Sequence, residues 1–163
     1  MKFISFEDRG RTEIGLIHNH KPYRLSVLQP NLPHDMTGFL SLGEDAMQLA
    51  REAHQRITTG DYQPEALITH DIRLLAPIPR PTSCRDGYAF RQHVAAARRN
   101  RGVEMIPEFD QYPIFYFTNH RSIQGPGAIR CMPDHFRQLD FELEVAVVIG
   151  KAGRNIRAAE ADA

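Results

Sequence analysis

The stretch Leu-Asp-Phe-Glu-Leu-Glu-Val-Ala-Val-Val-Ile-Gly-Lys, residues 139–151, is the strongest strand signal in this chain of 163 residues. Its apolar side chains fall at every second position, namely Leu139, Phe141, Leu143, Val145, Val147 and Ile149. A period of two places these side chains on one face of a β-strand. We therefore predict a strand over 139–149 with one apolar face.

The opposite face of the predicted strand carries acids at Asp140, Glu142 and Glu144. Residues two apart on a strand are about 6.6–6.8 Å apart at Cα, so the carboxylates of Glu142 and Glu144 can lean toward one point. Like charges repel there unless a cation separates them, and Mg²⁺, Mn²⁺ or Ca²⁺ accepts carboxylate oxygens at about 2.0–2.6 Å. The spacing alone also allows a half-solvated strand whose acids face water.

Residues 85–93, Arg-Asp-Gly-Tyr-Ala-Phe-Arg-Gln-His, bring a carboxylate and an imidazole close together in sequence. We predict that residues 83–86 begin a helix, which continues over 88–101 until Gly102. Seven residues are nearly two helical turns, so Asp86 and His93 would share a face, Asp86 as a metal ligand and His93 as a base. Taken singly, a capping aspartate and a packed histidine are the simpler interpretations.

The first 76 residues are predicted to form a small α/β domain. Ser41 and Glu44 have the spacing of a capping box, and apolar residues then recur at helical intervals until Gly60. Three β-prone runs separated by turn residues precede this helix and predict an antiparallel meander: Lys2–Phe6, Glu13–His18 and Tyr23–Val27.

A proline-rich segment, residues 77–81, follows a predicted strand over 71–75 and fixes an extended backbone. We place a domain boundary there, between residues 1–76 and 77–163. Beyond the helix of the second part, residues 104–111 are predicted to be an exposed loop and residues 112–117 a strand. The sequence thus predicts an α+β, β-rich fold in two parts.

Composition limits the classes of partner. Twenty basic and twenty acidic side chains give a formal net charge of zero, which argues against nucleic acid as a partner. The longest apolar run, residues 145–149, is far shorter than the roughly 20 residues that cross a membrane. Glu7, Asp8 and Arg9 interrupt any secretory signal, so we expect a cytoplasmic protein. Cys84 and Cys131 lack the paired spacing of a zinc site.

Four ordered stretches in the second part of the chain resemble the fumarylacetoacetate hydrolase (FAH) family. They are distributed along nearly all of residues 72–157: Leu75–Pro81, the run Asp86-x-Tyr88-x-x-x-x-His93, Phe115–Phe117 with Ser122–Gly127, and Leu139–Lys151. The resemblance implies that residues 77–163 are the first portion of the family's β-roll domain, and that the protein is a metal-dependent enzyme.

The resemblance also implies a role for each candidate site residue. Asp86, Glu142 and Glu144 match three of the family's four carboxylate ligands for a divalent cation, with Mg²⁺ as the first choice and Mn²⁺ or Ca²⁺ as alternatives. The match makes His93 the general base. Substrate contacts are implied for three further residues, Tyr88, Tyr116 and Arg101, where the arginine could also align with Arg98 or Arg99.

The reaction implied by the resemblance is cleavage of a carbon–carbon bond in a small 2,4-diketo acid of the fumarylacetoacetate or acylpyruvate type. His93 would take a proton from water, the hydroxide would attack the carbonyl farther from the acid group, and the leaving group would depart as a metal-stabilised enolate. Family relatives use the same enolate for decarboxylation, isomerisation or hydration, so these reactions are alternatives.

The sequence stops at Ala163, before the family's fourth ligand aspartate and its active-site lysine. We therefore expect the front half of an enzyme, which leaves an uncovered apolar face over 139–149 and works as a homodimer or with a complementing C-terminal half. A catalytically incomplete fragment is the alternative to an active enzyme.

Two further motifs are weighed and set aside. Arg98-Arg99-Asn100-Arg101 could bind nucleic acid, but a solvated helix end explains it more simply. His18-Asn19-His20 lies in a predicted turn without further metal ligands, so we do not interpret it as catalytic.

Overall fold

The computed structural model describes residues 1–161. Its first part contains a four-stranded antiparallel sheet, ordered β3-β2-β1-β4. The strands are β1 (Lys2–Asp8), β2 (Arg11–His18), β3 (Lys21–Arg24) and β4 (Arg73–Leu74). Two tight turns at Arg9-Gly10 and Asn19-His20 have positive φ throughout, as two-residue hairpins require. The predicted meander is confirmed, and β4 falls within the strand predicted over 71–75.

Three helices follow the meander: α1 (Leu25–Leu28), α2 (Met36–Ser41) and α3 (Glu44–Thr59). The long α3 buries a stripe at helical spacing, Ala46, Ala50, Ala53 and Ile57, in a core that includes Ile14 and Leu16 of β2. Gly60 ends α3 in the left-handed conformation at φ 77°, as predicted.

Two boundaries in this part were predicted wrongly. The strand over 23–27 ends at Arg24, because Leu25 and Leu28 are buried as one turn of α1. Ser41 is not the cap of α3: its hydroxyl donates to the carbonyl of Gly38, one turn back in α2, and Gly43 precedes α3 instead. The capping-box spacing was therefore accidental.

Charged groups join the first three strands. Arg24 Nη2 lies 2.5 Å from Asp8 Oδ2, and Arg24 Nη1 also pairs with Glu13. His70 Nε2 lies 3.1 Å from the other Asp8 oxygen. The hydrogen bond from Arg24, more than any other influence, lowers the pKa of Asp8 below its ordinary value of 3.8.

We expect this network to make stability depend on acid pH. A carboxyl whose pKa is lowered by folding stabilises the fold above its unfolded pKa, and this contribution is lost as pH falls through the folded value. The Asp8→Asn variant should therefore be less stable than the unsubstituted chain at pH 7, and the difference should shrink below about pH 4. Urea unfolding followed by circular dichroism tests this, with Asp61→Asn as an exposed control. A difference that does not change with pH would contradict it.

The second part of the described chain contains a small antiparallel sheet of β5 (Arg85–Gly87) and β6 (Phe115–Phe117), with α4 (Arg91–Asn100) and α5 (Glu108–Gln111) between them. The helix start predicted at 83–86 is wrong, because those residues include β5 and α4 begins at Arg91. Gly102, at φ 69°, follows the end of α4 as expected. The predicted loop over 104–111 contains α5, and the strand predicted over 112–117 is shortened to β6.

The strand predicted over 139–149 is not formed. A 3₁₀ turn, Pro133–Gln138, leads into an irregular segment, and no strand within residues 1–161 pairs with it. Its apolar side chains are exposed, with Leu143 at 96% and Val145 at 88%. A β-strand is stabilised by the hydrogen bonds and side-chain pairs that it makes with a neighbouring strand. An alternating apolar pattern therefore does not form a strand when no neighbour is present. The apolar side chains that we expected to be uncovered are exposed, but without a strand they do not share one face.

The fold is mixed α+β, with antiparallel sheets and helices. The domain boundary at residue 77 stays a prediction; Ser5 Oγ donates to the carbonyl of Pro77 at 2.7 Å, which ties the proline-rich segment to β1. Among the described residues, no helix has both the length and the apolar character of a membrane span.

Candidate active site

Asp86 and Tyr116 form a pair across the small sheet. They lie directly opposite each other in the register of β5 and β6, so both side chains project from the same face. The Tyr116 hydroxyl donates to Asp86 Oδ2 at 2.6 Å. This hydrogen bond, reinforced by burial and by the negative charges nearby, raises the pKa of Tyr116. Asp86 therefore has a defined position without the helix that was predicted for it.

His93 contacts the segment that carries Glu142 and Glu144. It lies in the first turn of α4, and its Nε2 is 3.4 Å from Glu142 Oε1. Both side chains remain about half exposed, His93 at 52% and Glu142 at 60%. An imidazole with one nitrogen toward a carboxylate keeps its other nitrogen available for proton transfer.

The three candidate carboxylates are electrostatic neighbours. A hydrogen bond with Glu142 is the main cause that raises the pKa of Glu144, followed by the negative charge of Asp86. Within residues 1–161, however, no three His, Cys, Asp or Glu side chains lie close enough to ligate one ion. The three carboxylates thus influence one another electrostatically but do not form a ligand set, as expected for like charges on a segment that no sheet holds in place.

The donor chemistry of this cluster fits a hard divalent cation. All three candidate ligands offer carboxylate oxygens, which Mg²⁺, Mn²⁺ and Ca²⁺ prefer. A proton shared between Glu142 and Glu144 is one way to reduce their repulsion, and a bound cation is another. Asp86, Glu142 and Glu144 stay the predicted ligands of such an ion.

Tyr88 lies beside His93 and also contacts Arg101. Arg101 Nη2 is 3.4 Å from the Tyr88 hydroxyl, and the Tyr88 ring meets the His93 ring edge-on at 6.3 Å between centroids. Arg98 instead donates from Nε to the carbonyl of Glu104. Arg101 therefore contacts a predicted site residue, and the choice of the family's arginine among Arg98, Arg99 and Arg101 stays a prediction.

A pocket of about 440 Å³ next to Tyr88 was not predicted. Phe109 of α5 forms one wall, packs edge-on against Tyr88 and lies under the Arg91 guanidinium, which also pairs with Asp110. The pocket is lined by Gly87, Tyr88, Ala89 and residues 109–115, so it borders the site without including the three carboxylates. The aromatic side chain of Phe109, between the acids Glu108 and Asp110, was the signal that residues 104–111 are more than a loop.

The structure thus brings the predicted residues into contacting pairs: Asp86 with Tyr116, His93 with Glu142, and Tyr88 with both Arg101 and His93. It does not place Asp86 and His93 on one helix. The catalytic, substrate-binding and metal-binding roles of these residues stay predictions.

Comparison with known proteins adds independent information. A family profile described as fumarylacetoacetate (FAA) hydrolase C-terminal matches residues 82–163. The human protein "Oxaloacetate tautomerase FAHD2A, mitochondrial" is 33% identical over 139 residues, which cover 84% of this chain and 40% of the human protein. A Xenopus laevis protein of corresponding name is 32% identical over 139 residues, 84% of this chain and 39% of the relative.

A further relative, "Fumarylacetoacetate hydrolase domain-containing protein 2" of Pongo abelii, is 31% identical over 137 residues, covering 84% of this chain and 40% of the relative. The chain therefore spans about 40% of the length of the curated relatives that it matches.

Proposed function

Because this chain belongs to the fumarylacetoacetate hydrolase family, we propose that it supplies the base and most metal ligands of an enzyme that moves protons next to a ketone of a small 2-oxo acid. Interconversion of the keto and enol forms of oxaloacetate is the first candidate reaction, since relatives at 30–33% identity carry the name oxaloacetate tautomerase. The observation that carries the proposal is the approach of His93 to Glu142 beside the Asp86–Tyr116 pair.

His93 would act as the base. With Nε2 toward Glu142, Nδ1 is free to take a proton from the carbon next to the ketone, and the ketone oxygen gains a proton as the enol forms. The Arg101 guanidinium would bind a substrate carboxylate, and Tyr88, which accepts from Arg101, would help to orient it. Tyr116 would hold Asp86 through its one hydroxyl hydrogen, and it would donate that hydrogen to a substrate oxygen only when the bond to Asp86 is broken.

Asp86, Glu142 and Glu144 would hold the divalent cation, Mg²⁺ first with Mn²⁺ or Ca²⁺ as alternatives. A bound cation supplies positive charge that polarises a carbonyl and offsets negative charge on oxygen. The acidic side chains on their own repel an anionic substrate, so we expect activity to require the cation and to be abolished by a chelator.

The test is a tautomerase assay. We expect this chain, complemented by the C-terminal portion of a curated relative, to speed the loss of the ultraviolet absorbance of enol-oxaloacetate in the presence of Mg²⁺. The Glu142→Gln variant, complemented in the same way, is the control. A rate equal to the buffer rate in a correctly assembled complex would contradict tautomerase activity.

Hydrolysis of a 2,4-diketo acid is the second candidate, favoured by the description of the matching family profile. His93 would take a proton from water, and the hydroxide would add to the carbonyl farther from the acid group, so that the carbon–carbon bond breaks and the departing carbon is protonated. An acylpyruvate substrate separates the two reactions, because hydrolysis yields pyruvate and a carboxylic acid whereas tautomerisation leaves the carbon skeleton whole. Decarboxylation would release carbon dioxide, and hydration would retain all the carbon.

The exposed apolar segment 139–149 is where we propose that a complementing C-terminal portion of the family domain pairs. Mixing the two polypeptides should produce a one-to-one complex on size exclusion, and Val145→Lys with Val147→Lys should prevent it. Self-association into a homodimer without the added portion would instead favour a second copy as the occupant.

Cytoplasmic location stays a proposal for this chain, and the names of the human and Xenopus relatives describe those proteins as mitochondrial. Fluorescence microscopy of the tagged protein in its own host would decide it.

A further inference from the structure

A pair of histidines lies far from the candidate active site, where β2 contacts α3. His18 is the last residue of β2, and His54 lies two-thirds of the way along α3. His18 Nδ1 and His54 Nε2 are 3.3 Å apart, and the ring centroids are 5.1 Å apart with the planes at 69°. Both side chains are half-buried. Two ring nitrogens from different elements therefore converge in a partly shielded position.

These separations match two imidazoles that share one tetrahedral ion. With metal–nitrogen bonds of about 2.0–2.1 Å, two ligand nitrogens of a tetrahedral site are about 3.3–3.4 Å apart. The centre of an imidazole lies about 1.1 Å behind its nitrogen, so the two centroids would then be about 5.2 Å apart. A straight N–H···N hydrogen bond of the observed length would instead separate the centroids by about 5.5 Å. The rings are therefore inclined to each other rather than aligned along the line between the two nitrogens, an arrangement that a shared ion would accommodate.

We propose that His18 and His54 bind Zn²⁺ or a divalent ion of similar chemistry, and that this ion joins the β-meander to α3. Imidazole nitrogen suits such ions, whereas Mg²⁺ prefers oxygen, so this site differs in kind from the carboxylate cluster. Within residues 1–161, no third His, Cys, Asp or Glu side chain completes the ligand set. Two coordination positions would thus be open to water or to a small ligand, and the affinity should be below that of a closed four-ligand site.

The environment of His54 favours ligation. A histidine must be neutral to bind a metal. Burial is the main cause that lowers the pKa of His54, followed by the influence of His18 and of the Met1 amino group. A lowered pKa favours the neutral form of His54, and the ion would replace a contact that is longer than an ordinary hydrogen bond.

Zinc titration of the full chain tests the site. The Glu142→Gln, Glu144→Gln double variant serves as the background, so that the carboxylate cluster does not contribute. We expect about one equivalent of Zn²⁺ by calorimetry and a rise of the melting temperature that grows with zinc concentration. His18→Gln and His54→Gln should each weaken binding by at least about tenfold. His20→Asn, which changes an exposed histidine in the neighbouring turn, should bind as the background does.

The proposal would be overturned by equal zinc affinity in the background and in both glutamine variants, or by the absence of zinc binding. Either result would mean that the two histidines form only a hydrogen bond. If a histidine-to-glutamine variant fails to fold, the site is tested instead by NMR on the Glu142→Gln, Glu144→Gln variant, in which both histidines are present. Long-range ¹H–¹⁵N spectra should then show His18 Nδ1 and His54 Nε2 shifting together on addition of one equivalent of Zn²⁺, and unchanged ring nitrogens would refute the site.

Discussion

Replacement of His93 by alanine should lower turnover by about 100-fold or more in the complemented enzyme, because a positioned general base contributes roughly that much to a proton transfer. His93 is suited to this role because it is accessible, its Nε2 faces Glu142 at 3.4 Å, and its ring packs edge-on against Tyr88. The fall should appear in kcat, while the affinity for the divalent cation should change far less than the rate.

The control for this variant is His135→Ala, which removes an exposed histidine from the 3₁₀ turn that precedes the carboxylate segment. It should leave the rate within about twofold of the unsubstituted enzyme, since a solvated side chain outside the site contributes little. An unchanged rate for His93→Ala at saturating cation would remove His93 from the mechanism and direct attention to a base elsewhere in the complex.

Replacing both Glu142 and Glu144 with glutamine should weaken Mg²⁺ or Mn²⁺ binding by more than about 100-fold. Substitution of groups that only support a metal ligand already costs about 10–100-fold, and here two charged ligands would be lost together. The amides keep the size of the side chains but remove the negative charges that attract a hard cation. Calorimetric titration with Mn²⁺ measures the effect directly.

A matched control is Glu104→Gln with Glu108→Gln, which removes the same charge from two exposed acids outside the cluster. This control should retain the affinity of the unsubstituted chain. Equal losses in the two double variants would show that net charge, and not a particular site, governs binding of the cation.

The first part of the fold could be predicted because its signals are local. The turns at Arg9-Gly10 and Asn19-His20, and the helical stripe of α3, lie within a few residues of the structure they determine. The errors there fall at boundaries, where Gly43 rather than Ser41 precedes α3. Element ends are sensitive to tertiary packing that the local pattern does not contain.

The second part could not be predicted to the same depth, because its elements depend on distant partners. Asp86 belongs to a strand only because Tyr116 lies opposite it, thirty residues later in the chain. The alternation over 139–149 is real, but no neighbour within residues 1–161 pairs with it. An alternating sequence does not form a strand without the hydrogen bonds of a neighbouring strand.

In the candidate site, too, local signals were readable from the sequence and contacts between distant residues were not. The approach of His93 to Glu142 joins residues 49 positions apart, and helical spacing placed Asp86 in a helix although it lies in β5. The family resemblance supplied the set of residues, and the structure supplied the contacts among them. The pairing of His18 with His54 had no signal in the sequence, since neither residue has its partner nearby along the chain.

The central claim is that Asp86, Glu142 and Glu144 bind one cation together, next to His93. Substoichiometric Mn²⁺ added to the chain with ¹³C-labelled Asp and Glu carboxyl groups tests it most directly, because the paramagnetic ion broadens the signals of its ligands. We predict that the carboxyl signals of these three residues broaden together and first, and that the His93 ring follows. Broadening of only one of them, or equal broadening across the exposed acids of the chain, would contradict the claim.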